Sequence, residues 1–141
     1  LESRMRDILK LARIQLICIV LFIFFKFIRK PVLKSDAPNF FKTILLSLPN
    51  FFEAVIGTMT VTAILLILNN RWLPKNRQIN RKRIYDMAVI LAGIYVITQE
   101  LKVHNLGGNN VFDPNDVVFS CIGLLIGYMI IIRIKPQIYG D

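Results

Sequence analysis

The stretch VVFSCIGLLIGYMIII, residues 117–132, decides the fold, because its 16 residues carry no charged side chain. A helix needs about 20 residues to cross a hydrocarbon core, and about 17 suffice where the bilayer thins or flanking Lys and Arg snorkel. Arg133 and Lys135 follow directly and supply such flanks. Working back toward the N-terminus, three more apolar stretches bounded by charge appear at Ile84–Leu101, Phe51–Leu68 and Ile14–Ile28. The second of the four spans, Phe51–Leu68, holds a single charged residue, Glu53, in 18. With 55% hydrophobic residues and a mean hydropathy of +0.54, the chain has too little hydrophilic surface for an ordinary soluble domain. We expect an all-α membrane protein, a bundle of four transmembrane helices forming one domain over residues 1–141.

Charge placement then sets the expected topology. Of the 18 Lys and Arg, 12 fall on one side of the four spans and 6 on the other. The positive-inside rule puts the richer side, and with it both termini, in the cytoplasm. The connection from Arg71 to Arg83 dominates, with six basic residues and no acid. Such a run beside a span holds topology and attracts anionic lipid headgroups, so the bilayer is the expected partner and nucleic acid is not. The expected location is the bacterial inner membrane, crossed several times. The first span is rich in Phe and Ile and lacks a small-residue cleavage site, so it does not read as a cleavable signal. Leu1–Arg4 ahead of Met5 read as appended residues, with native translation expected from Met5.

Prolines punctuate the first half. Pro31 and Pro38 are expected to bracket a short polar connection, since proline cannot continue a helix it interrupts. Residues 39–49 admit two readings: an amphipathic helix in the outer interface, or the start of one long helix kinked at Pro49. In the last span, Gly123 and Gly127 form a GxxxG, which lets a neighbouring backbone approach closely. Packing within the chain is expected over dimerisation, and Gly57 is a further candidate for close helix packing.

The chemistry-bearing residues cluster on the outer side. Asp113-Pro114-Asn115-Asp116 suits a helix start, with Asp113 as N-cap, Pro114 at the first position and Asp116 facing the free N–H groups. The same two carboxylates would also face the mouth of the bundle. Glu53 lies just inside its span, where an ionisable group is costly and tends to face the interior or a wet cavity. Its alternatives are a contact with the headgroups or a pair with Lys42. Gln99 and Glu100 end the third span on that side. Together, Glu53, Gln99, Glu100, Asp113 and Asp116 make a candidate binding site for an envelope-associated ligand or partner. Asp86 reads as a charge-paired residue in the first turn of the third span, beside Arg81–Arg83.

No catalytic constellation is present. His104 is the only histidine and makes a poor zinc site with loop acids alone. No nucleotide fingerprint occurs, so no metal or cofactor is expected. Cys18 and Cys121 both lie within apolar spans and imply no disulfide framework.

The stretch YVITQELKVHNLGGNNVFDPNDVVFSCIGLLIGY, residues 95–128, resembles the VanZ-like family of small bacterial membrane proteins. Phe112-Asp113 and Asp116 match the start of that family's last helix, and Gly123 and Gly127 match its glycines; Ser120 stands where the family usually has Asn. The resemblance implies a four- or five-helix membrane fold, and some family members are linked to teicoplanin resistance. Two other functions remain open from the residues: a membrane subunit acting through helix packing, and a proton or cation path through Glu53.

Overall fold

The computed structural model describes residues 2–101 and 114–136. They form four helices, α1 (Glu2–Leu33), α2 (Asn39–Trp72), α3 (Arg81–Glu100) and α4 (Pro114–Ile134), with one 3-10 turn at Lys75–Arg77. The fold among the described residues is all-helical. Three helices are long and apolar enough to cross a membrane: α1 from Leu9 to Leu33, α2 and α4. The fourth, α3, is not among them. It carries Arg81, Lys82 and Arg83 in its first turn, and Asp86 and Glu100 further along its 20 residues.

The helices are longer than the apolar stretches that seed them. The first runs through Pro31 to Leu33, so the connection to α2 is confined to residues 34–38. Proline near a C-terminus loses one N–H bond but does not force the last turn to unwind. Residues 39–49 join α2 directly, and Pro49 lies inside the helix, which rules out a separate interfacial segment. Its 34 residues extend about 51 Å at 1.5 Å per residue, well beyond a hydrocarbon core of about 30 Å. The first turn of α3 starts at Arg81, not at Ile84, because the Asn80 side chain accepts the Lys82 N–H and caps it.

Packing centres on α2, which touches every other helix. Its partner α1 runs antiparallel: Phe25 stacks on Phe52 at 5.7 Å, and Gln15 Nε2 donates to Thr60 Oγ1 at 3.0 Å. On the other side, α2, α3 and α4 form a three-helix core. Here α4 runs parallel to α2 and α3 antiparallel to both. Buried Val55, Met59, Leu66, Ile84, Tyr85 and Ile131 fill one end of this core, with Leu11 of α1. Ala54, Ala92, Val96 and Leu124 fill the other. The first helix packs chiefly on α2 and leaves most of its apolar surface exposed, including Leu16, Ile17, Val20, Phe24 and Phe27. The bundle is therefore three helices with a fourth laid against one of them.

Candidate functional site

Among the described glycines, those at the α2–α4 seam mark the closest approach of two helices. A Cβ placed on Gly123 would lie 2.3 Å from the Phe51 carbonyl oxygen and 2.8 Å from the Ala54 Cβ. One placed on Gly127 would lie 3.1 Å from the Thr58 Cβ. Both glycines thus seat the backbone of α4 on the same chain's α2. Gly57 does not share this role. Nothing lies within 4 Å of where its Cβ would be, so it brings no described helix of this chain into close contact. The reason is helical phase: Gly57 is on a face of α2 turned away from α4.

Polar side chains run along the same seam. Ser47 of α2 donates to the Asp116 carboxylate at 2.9 Å, joining the start of α4 to the N-terminal part of α2. One turn along α4, Ser120 is fully buried, and its hydroxyl has no hydrogen-bond partner among the described residues. Further down, Thr58 donates to Ala54 O at 2.8 Å and Thr62 to Thr58 O at 2.7 Å. These hydroxyls are satisfied by their own helix and form no relay. Below Thr62 the core is apolar, with Leu66, Ile84 and Ile131.

Of the five residues expected to form one outer site, the structure describes four, and it sets Glu53 apart from the end that holds Asp116 and Glu100. Asp116 is third in α4, as the capping pattern requires, and is tied to Ser47. Glu100, the last residue of α3, is buried at the end of the bundle that holds the start of α4; Gln99 beside it is half-buried. Asp113 lies outside the described residues, as does His104. Glu53 is elsewhere. At 3.6 residues per turn it stands about 120° around α2 from Ser47, on the face shared with Gly57, Thr60 and Ile64. On that face Glu53 and Gly57 are half-buried and Ile64 is exposed, nothing lies within 4 Å of where a Gly57 Cβ would be, and Thr60 at its edge accepts from Gln15 of α1. A single cavity uniting Glu53 with Asp116 is therefore not formed. Nor does Lys42 pair with Glu53, because eleven residues of continuous helix separate them by about 16 Å along the axis.

Asp86 also differs from its reading. It is the sixth residue of α3, past the first turn, and accepts a hydrogen bond from the Tyr128 hydroxyl of α4. Nearby, the Tyr85 hydroxyl donates to Pro136 O at 2.7 Å and pins the end of α4 to α3. Ser47, Tyr128 and Gln15 were not singled out from sequence, and Ser120 only as standing where the VanZ-like family usually has Asn. The spacing Ser47, Ala54, Thr58, Thr62, small residues recurring at seven and four, carried the signal for the first of them. Among the described residues no cluster of His, Cys, Asp or Glu could hold a metal ion.

No family model, curated protein or solved structure matches the chain, and nothing in these comparisons supports the VanZ-like resemblance.

Proposed function

We propose that this chain is a multi-pass protein of the bacterial inner membrane, with four crossings and cytoplasmic termini, that works by binding another membrane protein through α2. The supporting observation is the face that carries Glu53 and Gly57 within the apolar part of that helix: both are half-buried, Ile64 beside them is exposed, and nothing lies within 4 Å of where a Gly57 Cβ would be. A charged side chain inside a span is costly, by about 2.5–3.5 kcal/mol at the centre on insertion scales, and such residues nearly always face protein or water. Near the outer end the cost is smaller, but the direction is the same. Within this chain the interior of α2 faces α3 and α4, so Glu53 gains no cover from them. A partner helix with a small residue against Gly57 and a hydrogen-bond donor against Glu53 would supply it. Close approach at glycine and a polar contact are the two forces that associate helices where no hydrophobic drive exists.

A photo-cross-linking residue at position 57 tests this in intact membranes. A discrete protein adduct should form there, not from position 125 on the outward face of α4, and should weaken with Glu53→Gln. Adducts with lipid alone from position 57 would refute the reading.

One observation favours a second reading, a polar site for an envelope-associated ligand at the outer end of the α2–α4 seam. Ser120 is buried there with its hydrogen-bonding capacity unused, one turn from the Ser47–Asp116 pair. Ser120→Ala and Asp116→Asn would abolish such a function and leave the position-57 adduct intact.

A further inference from the structure

We infer that the partner helix at Glu53 is α2 of a second copy of this chain, the Asn50 amide of each copy donating to the Glu53 carboxylate of the other about a two-fold axis. This rests on the reading of α2 as a binding face and names what it binds. At about 100° per residue, Asn50, Glu53, Gly57 and Ile64 fall within about 60° of one another around α2. The first three are half-buried and Ile64 is exposed. Among the described residues, neither the Asn50 amide nor the Glu53 carboxylate has a hydrogen-bond or ion-pair partner.

The chemistry of this face selects the occupant. An ionised carboxylate only accepts hydrogen bonds, whereas the Asn amide carries two N–H donors. The face therefore holds one donor and one acceptor, about 4.5 Å apart along the axis. That is the pattern a two-fold interface uses, in which one residue meets a second and the second meets the first. Each carboxylate gains a donor, which offsets bringing two acids to the same depth. Membrane insertion supplies the alignment: copies inserted with one topology hold their α2 helices parallel, so both residues stand at matching depths. An unrelated protein would need a donor placed at that depth, and a second copy has one by construction. Gly57 lies four residues on from Glu53, with no atom within 4 Å of where its Cβ would be. Two α2 backbones can approach there as α4 approaches α2 at Gly123.

The test is oxidative cross-linking of the full chain in intact membranes, with Ile64→Cys and with Cys18 and Cys121 replaced by Ala. A disulfide-linked species of twice 16.3 kDa should form. Leu125→Cys, on the outward face of α4, should give none. Asn50→Ala and Glu53→Ala should each remove both contacts of the pair and weaken dimerisation about eightfold, at about threefold per interhelical hydrogen bond. Asn50→Gln keeps the donor and should keep the dimer. Co-expressed with different tags, the Asn50→Ala and Glu53→Ala chains should form a mixed dimer that retains one contact and is only about threefold weaker than the parent. Residues that merely held the fold of their own chain would show no such recovery, and helical circular dichroism checks each variant's fold. No dimer from Ile64→Cys, or no recovery in the mixture, would overturn the inference. If a position-57 protein adduct of another mass still formed, binding through α2 would stand with a different partner. Lipid adducts alone would remove both readings.

Discussion

Replacing Gly123 by Ala adds one methyl group at the tightest point of the bundle, and the structure states what that methyl meets. It would sit 2.3 Å from a carbonyl oxygen of α2, whereas close carbon–oxygen contacts in proteins fall near 3.3 Å. The shortfall is about 1 Å. The obstructing atom is backbone, so no rotamer change relieves it, and α4 must withdraw from α2. Overpacking of this kind costs about 1–3 kcal/mol, and an unyielding backbone neighbour places it near the top of that range. Ala recovers about 1 kcal/mol through its helix propensity, which leaves a net loss of about 2 kcal/mol. At Gly127 the nearest atom is the Thr58 Cβ at 3.1 Å, so a shift of a few tenths of an ångström suffices and loss and gain roughly cancel. At Gly57 the methyl meets nothing, and Gly57→Ala should gain up to about 1 kcal/mol. The three variants should therefore rank Gly57→Ala, then Gly127→Ala, then Gly123→Ala in stability, read by detergent-titrated unfolding in mixed micelles. A Gly123→Ala protein as stable as Gly57→Ala would mean that α2 and α4 do not approach as described.

Two further outcomes are expected. Lys135 closes α4 with φ at 50°, a conformation that costs a non-glycine residue about 1–2 kcal/mol; Lys135→Gly should remove that strain, keep the bond from its N–H to Ile131 O, and raise stability by about 0.5–1 kcal/mol after glycine's greater entropy loss, measured by thermal unfolding. For topology, with Cys18 and Cys121 replaced by Ala, a cysteine at Ser35 should react with an impermeant label outside the cell and one at Asn76 should not. The opposite pattern would invert the orientation and place the Arg71–Arg83 connection outside.

The helices were legible because the signal for a long apolar helix is local. Length, absence of charge and flanking Arg or Lys were enough to find the apolar cores of α1, α2 and α4. Their ends were less so. Pro31 and Pro49 read as breaks, yet α1 and α2 continue through both, because one missing N–H bond is affordable inside a well-packed or terminal turn. Helix phase explains the larger miss. Glu53, Gln99, Glu100 and Asp116 were grouped by their side of the membrane, but depth says nothing about azimuth. Glu53 is six positions on from Ser47, which is enough to turn them onto different faces of α2. The relevant periodicity was present in the small residues, and it marked the seam more faithfully than the charges did.

The central helix thus has two distinct edges, and they differ in how completely this chain satisfies them. Toward α4, glycine meets carbonyl, Ser47 meets Asp116, and little beyond the Ser120 hydroxyl is left over. Toward the opposite side, a Gly57 Cβ would meet nothing within 4 Å and Glu53 is half-buried beside exposed Ile64, while Gln15 of α1 donates to Thr60 at the edge. Glycine in a helix interior destabilises by about 1 kcal/mol relative to Ala, and a carboxylate in an apolar span costs more still. At Gly123 that loss is offset inside the chain by the close approach of α4 to the α2 backbone. At Gly57 nothing within the chain offsets it. The same residue type therefore carries opposite meanings one face apart, and the open face is where a second membrane helix would recover what this chain alone forgoes.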